Sequence, residues 1–342
     1  MGKRELTMSI ADKLGIVITT YNRAEHLKRT LAVLLADNSP VRDCQIIVQS
    51  NHSSDATPNV VRTLQADHPN LLYRENPYNL GIAGNICKAM ELADKEYHWN
   101  LCDDDRFDWQ NWAEVEKEIA NKTPVICASN YLIPENCRSR VDYQLAQMGF
   151  LPSVIIRTNL YTDTTIRNSF DNIFTLFPHM VPIVTLLNAG GNIHVLSKEV
   201  VTNGWEEGTD RSFLRGARPD VIFHRSRTMT WMVGYANIIA NLKDRKLARQ
   251  CFNTAITIAM GNSVPFISGC YAFLSQCLFT FRGRENRMQL EDLMSQCGFC
   301  LRFTLWLVRL VQNSPLYFPL VYVRDLKCRL ADKKKTNVTN KG

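Results

Sequence analysis

The sequence predicts an α/β fold: a doubly wound, mostly parallel sheet flanked by helices, followed by a helical C-terminal region. Three observations carry this. Over the first hundred residues, short β-branched or apolar runs alternate with amphipathic segments of helical period, the pattern of strand–helix–strand units. The connections between them are short and polar. After about Thr230 the strand-like runs stop and helix-like segments take over.

The elements follow in order. Gly15-Ile16-Val17-Ile18-Thr19 is a continuous apolar, β-branched run, as expected of a parallel strand buried on both faces. Asn22 is expected to cap the next helix, which places Leu27, Leu31, Leu34 and Leu35 on one face. Cys44 to Gln49 reads as the second strand, Ser50 to Thr57 as a polar loop, and Pro58 as the opening of a helix with Val60, Val61 and Leu64 inward. Leu71 to Arg74 is the third strand, the Asn79-Leu80-Gly81 turn leads into a helix through Met90 and Leu92, and Tyr97 to Cys102 is the fourth. Further on, Asp171 to Leu187 reads as one helix stopped by Asn188-Ala189-Gly190-Gly191, and Asn192 to Leu196 as a strand. Trp231 to Val323 reads as helices broken near Gly261–Pro265 and Arg282–Arg287.

Bulk composition narrows the function classes. With 342 residues, 45% hydrophobic and 21% charged, the chain has room for one large domain, or a domain with an appendage. Met1 to Lys13 is polar and lacks an apolar stretch, so no secretory signal is expected. Eleven cysteines, an odd number, are then expected to be reduced thiols in a cytoplasmic protein, Cys297 and Cys300 included. The net charge of +7 is concentrated at one end. Residues 301–342 hold nine Lys or Arg against two Asp, which accounts for the whole excess. A nucleic-acid binder would carry a basic stripe on its folded face, so no nucleic-acid partner is expected. A basic end following apolar helices suits an anionic membrane surface. Residues 250–281 hold no charged side chain, but polar residues and Pro265 interrupt them, so packed or interfacial helices are expected rather than a span. Phe299, Phe303, Trp306 and Leu310 form a second apolar stripe at helical spacing, interrupted by Arg302 and Arg309.

The most informative motif is Asp103-Asp104-Asp105, directly after the fourth strand. Three adjacent carboxylates repel one another, and the usual counter-ion for such an oxygen-rich site is Mg²⁺ or Mn²⁺. A metal held there can in turn hold a diphosphate. Ligands of open parallel sheets bind beyond the carboxyl ends of the strands, where the triplet and the loops after the first two strands all fall.

Four segments together resemble a known family. Val17 to Arg23 is similar to the opening strand motif of family 2 glycosyltransferases of the GT-A (Rossmann-like) fold. Ser50 to Thr57 resembles that family's loop after the second strand, Asn79 to Asn85 its Asn-x-Gly segment, and Asp103–Asp105 its Asp-x-Asp element. Four weak matches in the right order over about a hundred residues make a specific one. The segment around Phe177-Pro178-His179 resembles bacterial O-antigen enzymes of the abequosyltransferase type, and the likeness covers about residues 14–230.

The resemblance implies an inverting, metal-dependent enzyme with a catalytic domain at 1–230, and the residue pattern adds a helical region at 231–330 and a basic polar tail at 331–342. It implies a nucleotide-sugar donor, and a saccharide acceptor carried on a polyprenyl diphosphate at the cytoplasmic face of a bacterial inner membrane, with an O-antigen or capsule as product. Thr19, Tyr21, Arg23, Ser50, Asn51, Asp55, Asn79, Gly81, Asn85, Asp103 and Asp104 are implied around the donor, with Asp103 and Asp105 on the metal. Tyr21 is placed to stack on the base, and Asn79–Asn85 to turn backbone N–H groups toward phosphate. Ser50 departs from the family, which carries at this point an aspartate that bonds uracil. The family's base is the Asp of a Glu-Asp pair about eleven residues before a Gly. Here His179 stands eleven before Gly190, and an imidazole with a pKa near ~6.5 suits proton abstraction. Asp171, Glu206 and Asp210 are further candidates for the base, and His224 is a candidate late metal ligand. A sugar-phosphate nucleotidyltransferase would need a Gly-rich phosphate loop that residues 14–23 lack. The non-enzymatic alternative is a degenerate GT-A protein acting as a scaffold or sugar-binding module.

Overall fold

The computed structural model describes residues 9–204, 234–259 and 299–315, with 317, 319 and 322. Seven strands form the main sheet: β1 (Leu14–Thr20), β2 (Gln45–Ser50), β3 (Leu71–Glu75), β4 (Tyr97–Cys102), β6 (Val125–Cys127), β7 (Val154–Arg157) and β8 (His194–Val195). Their order is β3-β2-β1-β4-β7-β6-β8. The β3-β2-β1-β4 half is parallel, β7 runs antiparallel to both β4 and β6, and β8 is parallel to β6. A second sheet pairs β5 (Arg106–Phe107) with β9 (Val201–Thr202).

Both faces of β1 are covered, which explains its lack of polar alternation. Leu14, Ile16 and Ile18 pack with Leu27, Leu31 and Leu34 of α2 (Ala24–Leu34), and with Ile46, Val48, Trp99 and Leu101. Val17 faces the other way, against Ile47 and Ala89 of α4 (Gly81–Glu91). Each such fully buried aliphatic side chain contributes roughly 1.5–3 kcal/mol. Register sets the site. Thr20 stands opposite Ser50 and Thr19 opposite Cys102, so β1, β2 and β4 end on one rim. The triplet leaves β4 at that rim.

Two local expectations are corrected. Asn22 does not cap α2: it takes a left-handed φ of 53°, and its Oδ1 accepts the Ser54 N–H at 2.7 Å. The Ala24 N–H is bonded instead by Asp55 from the next loop, at 2.9 Å. The single helix expected from Asp171 to Leu187 is two helices. α7 (Asp163–Asp171) ends at Asp171, two 3-10 turns follow, and α8 (Val181–Asn188) begins three residues after Pro178. Pro178 and Pro182 lack the N–H groups a continuous helix would need, and Leu176 turns left-handed at φ 67°. The expected stop after Asn188 is present, with Gly190 at φ 82°, a conformation glycine adopts without penalty.

The chain separates into two compact units, Met1–Arg211 with Gly234–Ala255, and Ser212–Val233 with Ile256–Gly342. Helix α9 (Arg245–Ala259) begins in the first. Helix α10 (Phe299–Gln312) lies in the second. On α10, Phe303, Trp306, Leu307 and Leu310 are exposed, and the Phe303 and Trp306 rings stack at 5.7 Å. Among the described residues no helix is long and apolar enough to cross a membrane. Cys44, Cys87, Cys102, Cys127, Cys137 and Cys251 are free thiols.

Candidate functional site

The triplet does not stand alone. Arg23, just before α2, reaches under it: its Nη2 is 2.6 Å from Asp104 Oδ2 and its Nε 3.1 Å from Asp103 Oδ1. The Thr20 hydroxyl donates to Asp103 Oδ2 at 2.7 Å, and Thr30 of α2 holds the Asp103 carbonyl at 2.8 Å. The sequence reading placed Arg23 on the donor and looked to a metal for all the counter-charge. In the fold, an arginine supplies part of it. Asp105 is treated differently. Its Oδ2 accepts the Cys102 N–H at 2.8 Å, while its buried Oδ1 meets no hydrogen-bond donor among the described residues.

Electrostatics follow from burial. Desolvation pushes the Asp103 carboxyl up to about 7, against the pull of Arg23 and Thr20. Burial drives Asp105 well above the ordinary carboxylate range, and its two neighbouring aspartates add to the rise. A buried carboxylate with one oxygen unbonded calls for a cation. Ligand atoms of Asp104, Asp105 and Cys102 lie within 4.8 Å of one another. Asp103, expected as a ligand with Asp105, lies outside that group and is held by Arg23 and Thr20. The two carboxylates suit a hard divalent cation, while the thiol, which burial holds protonated, adds little.

The donor residues expected after β2 and β3 form a buried amide network. The Asn51 side chain donates to Asn79 Oδ1 at 2.7 Å and to the Gly81 carbonyl at 3.2 Å, and accepts the Leu80 N–H at 2.9 Å. Asn76, just after β3, donates to Asn51 and Asn85 at 3.0 and 2.8 Å, and accepts from Gln49 at 2.9 Å. Gly81 sits at φ 73° with its N–H on Asn79, opening α4. Asn51, Asn79 and Asn85 therefore hold the loops of the rim in place. Gln49 and Asn76 belong to the same network, although neither stands out in the sequence.

Ser50 is fully buried and its Oγ is shared with Ser53, whose own Oγ accepts the Asn22 N–H at 3.0 Å. Asp55 bridges two helix starts: the Ala24 N–H on one oxygen, and on the other, at 3.0 Å, the Thr57 N–H opening α3 (Thr57–Gln65). Burial raises its pKa, but these bonds outweigh that and hold the carboxyl below its ordinary value. Thr19 bonds the Leu101 carbonyl across the sheet. Tyr21 is exposed at the end of β1.

His179 is buried in the 3-10 turn before α8, with Nε2 at 3.0 Å from the Met148 carbonyl. That bond makes Nε2 the donor and leaves Nδ1 as the lone-pair nitrogen. Burial lowers the ring to about 4, against the opposing Met148 bond, rather than the ~6.5 expected from the residue type. Asp171 is exposed at the end of α7. Glu206, Asp210 and His224 lie outside the described residues.

Other features of the site were not legible beforehand. A cleft of about 400 Å³ opens beside the triplet, lined by His26, Arg29 and Arg106 together with Asp104 and Asp105. Gly204, just after β9, lies so close to the triplet that a Cβ there would stand 1.7 Å from the Asp104 carbonyl oxygen. The only forward signal for either is their basic or glycine identity, which is too common to read.

Comparison with known proteins agrees with this geometry. Structurally, the chain is similar to TarS of S. aureus (residues 1–349): 15% identity, 89% of each chain covered, TM-score 0.56. Its complex with UDP-GlcNAc gives 16%, 89% of each chain and 0.57. At these identities the likeness shows the GT-A-like fold. In sequence, the chain is 35% identical over 94 residues to the GalNAc(5)-diNAcBac-PP-undecaprenol beta-1,3-glucosyltransferase of Campylobacter jejuni, covering 27% of this chain and 30% of that one. It is 29% identical over 93 residues to the abequosyltransferase RfbV of Salmonella typhimurium, covering 27% and 28%. The matches thus span less than a third of these two relatives. Residues 15–184, which carry β1 to α8, the triplet and the amide network, match the model of Glycosyl transferase family 2, and the chain belongs to that family.

Proposed function

We propose that the protein transfers a sugar from a nucleotide diphosphate donor, with inversion, to a saccharide carried on a lipid diphosphate, as in assembly of an O-antigen or capsule. The observation that carries the reading is the Asp105 carboxylate: buried, with one oxygen unbonded, at the carboxyl end of β4 in a family 2 domain. A divalent cation, Mn²⁺ or Mg²⁺, fits there, held by Asp104 and Asp105. When bound, it supplies positive charge where the departing diphosphate gathers negative charge.

The chain's own residues do the rest. Arg23 holds Asp103 and Asp104 in place. The amide network fixes the Asn79–Gly81 turn, taking up the Leu80 and Gly81 N–H groups on Asn51 and Asn79, and so sets the start of α4 at the rim. Tyr21 offers an exposed ring for the base, and the buried Ser50 leaves that pocket without the aspartate that reads uracil. We assign proton acceptance from the acceptor hydroxyl to His179, whose Nδ1 is buried and has no hydrogen-bond partner among the described residues, with the exposed Asp171 as the second candidate. Holding acceptor and donor together supplies much of the rate. A lipid-linked acceptor implies work at a membrane surface. The exposed apolar stripe of α10 and the basic residues 301–342 support a peripheral, cytoplasmic-face location.

The test is transfer from a panel of UDP, GDP, CDP and dTDP sugars, with Mn²⁺, Mg²⁺ or EDTA. Metal-dependent release of one nucleotide supports the reading. Failure of every donor to bind under any metal would favour a degenerate, non-catalytic family member.

A further inference from the structure

The loop after β6 leaves the sheet on the same rim as the triplet, since β7 runs antiparallel to both β4 and β6, and it packs on the C-terminal end of α6 (Val141–Met148) and the residues just after it. On one side, the Met148 carbonyl accepts from His179, and Gly149 lies against the Phe177 ring, whose packing leaves 3.4 Å to a Cβ built at that glycine. On the other side stands Tyr131, in the loop after β6. Its ring meets Phe150 edge to face at 5.8 Å and 69°. Burial raises the affinity of the Tyr131 phenol for its proton, a hydrogen bond with the Gln147 side chain opposes this, and the charge of Asp105 adds to the rise. Tyr131 thus stands on the triplet's rim, against the segment that supports the base candidate.

The loop that carries it is rigid. Gln147, fully buried, accepts the Leu132 N–H at 2.9 Å, and Asn130, also buried, donates to the Leu196 carbonyl at 3.0 Å. These bonds fix the residues either side of Tyr131. Yet the Tyr131 side chain is 43% exposed. A large ring, anchored at its edge and locked at its backbone, is left partly open to solvent on the rim that carries the triplet.

We propose that Tyr131 is the platform on which the acceptor's terminal sugar ring rests. The assignment depends on the transferase reading above. A pyranose has one face of C–H bonds, apolar and weakly positive, which complements the negative face of an aromatic ring. The contact orients the ring while its hydroxyls stay free to point at donor and base. Tyrosine brings large area at low entropic cost, since only two side-chain torsions are fixed. Such a platform sets acceptor binding and not donor binding. Tyr21, Tyr78 and Phe174 are exposed too, but among the described residues none makes a ring contact with the segment after α6.

The experiment uses the full chain, the donor panel with Mn²⁺, and p-nitrophenyl glycosides of GlcNAc, GalNAc, galactose, mannose and rhamnose as acceptor probes. The best wild-type pair is carried into Tyr131→Ala, Tyr131→Phe and Tyr131→Trp, with thermal melting to confirm folding. Tyr131→Ala should raise the acceptor KM at least about tenfold, with the donor KM within about threefold of wild type. Tyr131→Phe and Tyr131→Trp should keep the acceptor KM near wild type, because the ring and not the hydroxyl is used. A wild-type acceptor KM in folded Tyr131→Ala overturns the assignment alone, as does a parallel loss in Tyr131→Phe. Absence of acceptor-stimulated release with every probe in the wild type overturns the transferase reading, and this assignment with it.

Discussion

Replacing Asn76 by alanine removes the hub of the amide network. Its side chain takes part in three hydrogen bonds, to Gln49, Asn51 and Asn85, and is almost fully buried. Asn51 Oδ1 keeps a second donor, the Leu80 N–H. Two buried groups are left without this partner, the Gln49 amide N–H and the Asn85 carbonyl oxygen. An unsatisfied buried polar group costs about 1–3 kcal/mol, so the variant should lose about 2–6 kcal/mol, a large part of an ordinary protein's stability. Asn79→Ala is the control. Asn79 is exposed and water can replace its bonds, so about 1 kcal/mol or less is expected. Urea unfolding followed by tryptophan fluorescence measures both, since Trp99 and Trp112 are buried in the main core. A loss below about 1 kcal/mol for Asn76→Ala would refute the reasoning, because the network would then be satisfied without its centre.

Other outcomes follow from the same geometry. In Gly204→Ala the new Cβ would press on the Asp104 carbonyl, so Mn²⁺ affinity and kcat/KM should both fall by about tenfold or more, and calorimetry with unchanged Mn²⁺ binding would contradict this. His179→Ala should reduce kcat by about 10²–10⁴-fold. With Mn²⁺ saturating, so that the triplet's carboxylates stay ionised, the acid limb of the wild-type pH–rate profile should fall near pH 4, because activity needs the neutral ring and protonation begins only as pH approaches about 4. An acid limb near the ordinary histidine value, or full turnover in the alanine variant, would remove His179 from the role. Changing Phe303, Trp306, Leu307 and Leu310 together to Ser should release the protein from phosphatidylglycerol vesicles in sedimentation. Unchanged pelleting would remove α10 as the membrane contact.

The sheet was legible because its strands announce themselves locally. Each of the first four is a short apolar run, and burial on both faces is why Ile16, Val17 and Ile18 read without alternation. The rim was legible as a place, since strand ends and motifs coincide. What each residue does there was not. Asn22 and Asp55 were both open to a capping role by type, but which helix each serves depends on contacts 31 or 32 residues away. Arg23 reads as a generic cation until the fold brings it to Asp103 and Asp104. Gln49 and Asn76 are unremarkable amides until β2 and β3 pair. The break between α7 and α8 was missed because apolar periodicity ran on across Pro178 and Pro182, where the missing N–H groups outweigh it. His179 kept its position but not its expected pKa, since burial cannot be read from residue type.

The proposed transfer depends on a divalent-cation site at the triplet, built on Asp105. Calorimetric titration of Mn²⁺ into the full chain, with and without UDP, compared with Asp105→Asn, tests it most directly. One Mn²⁺ site is expected in the wild type, tightened by the nucleotide and weakened at least about tenfold in the variant, because a neutral amide cannot supply the charge that holds a hard cation. Equal Mn²⁺ binding in both proteins, or none in either, would contradict it.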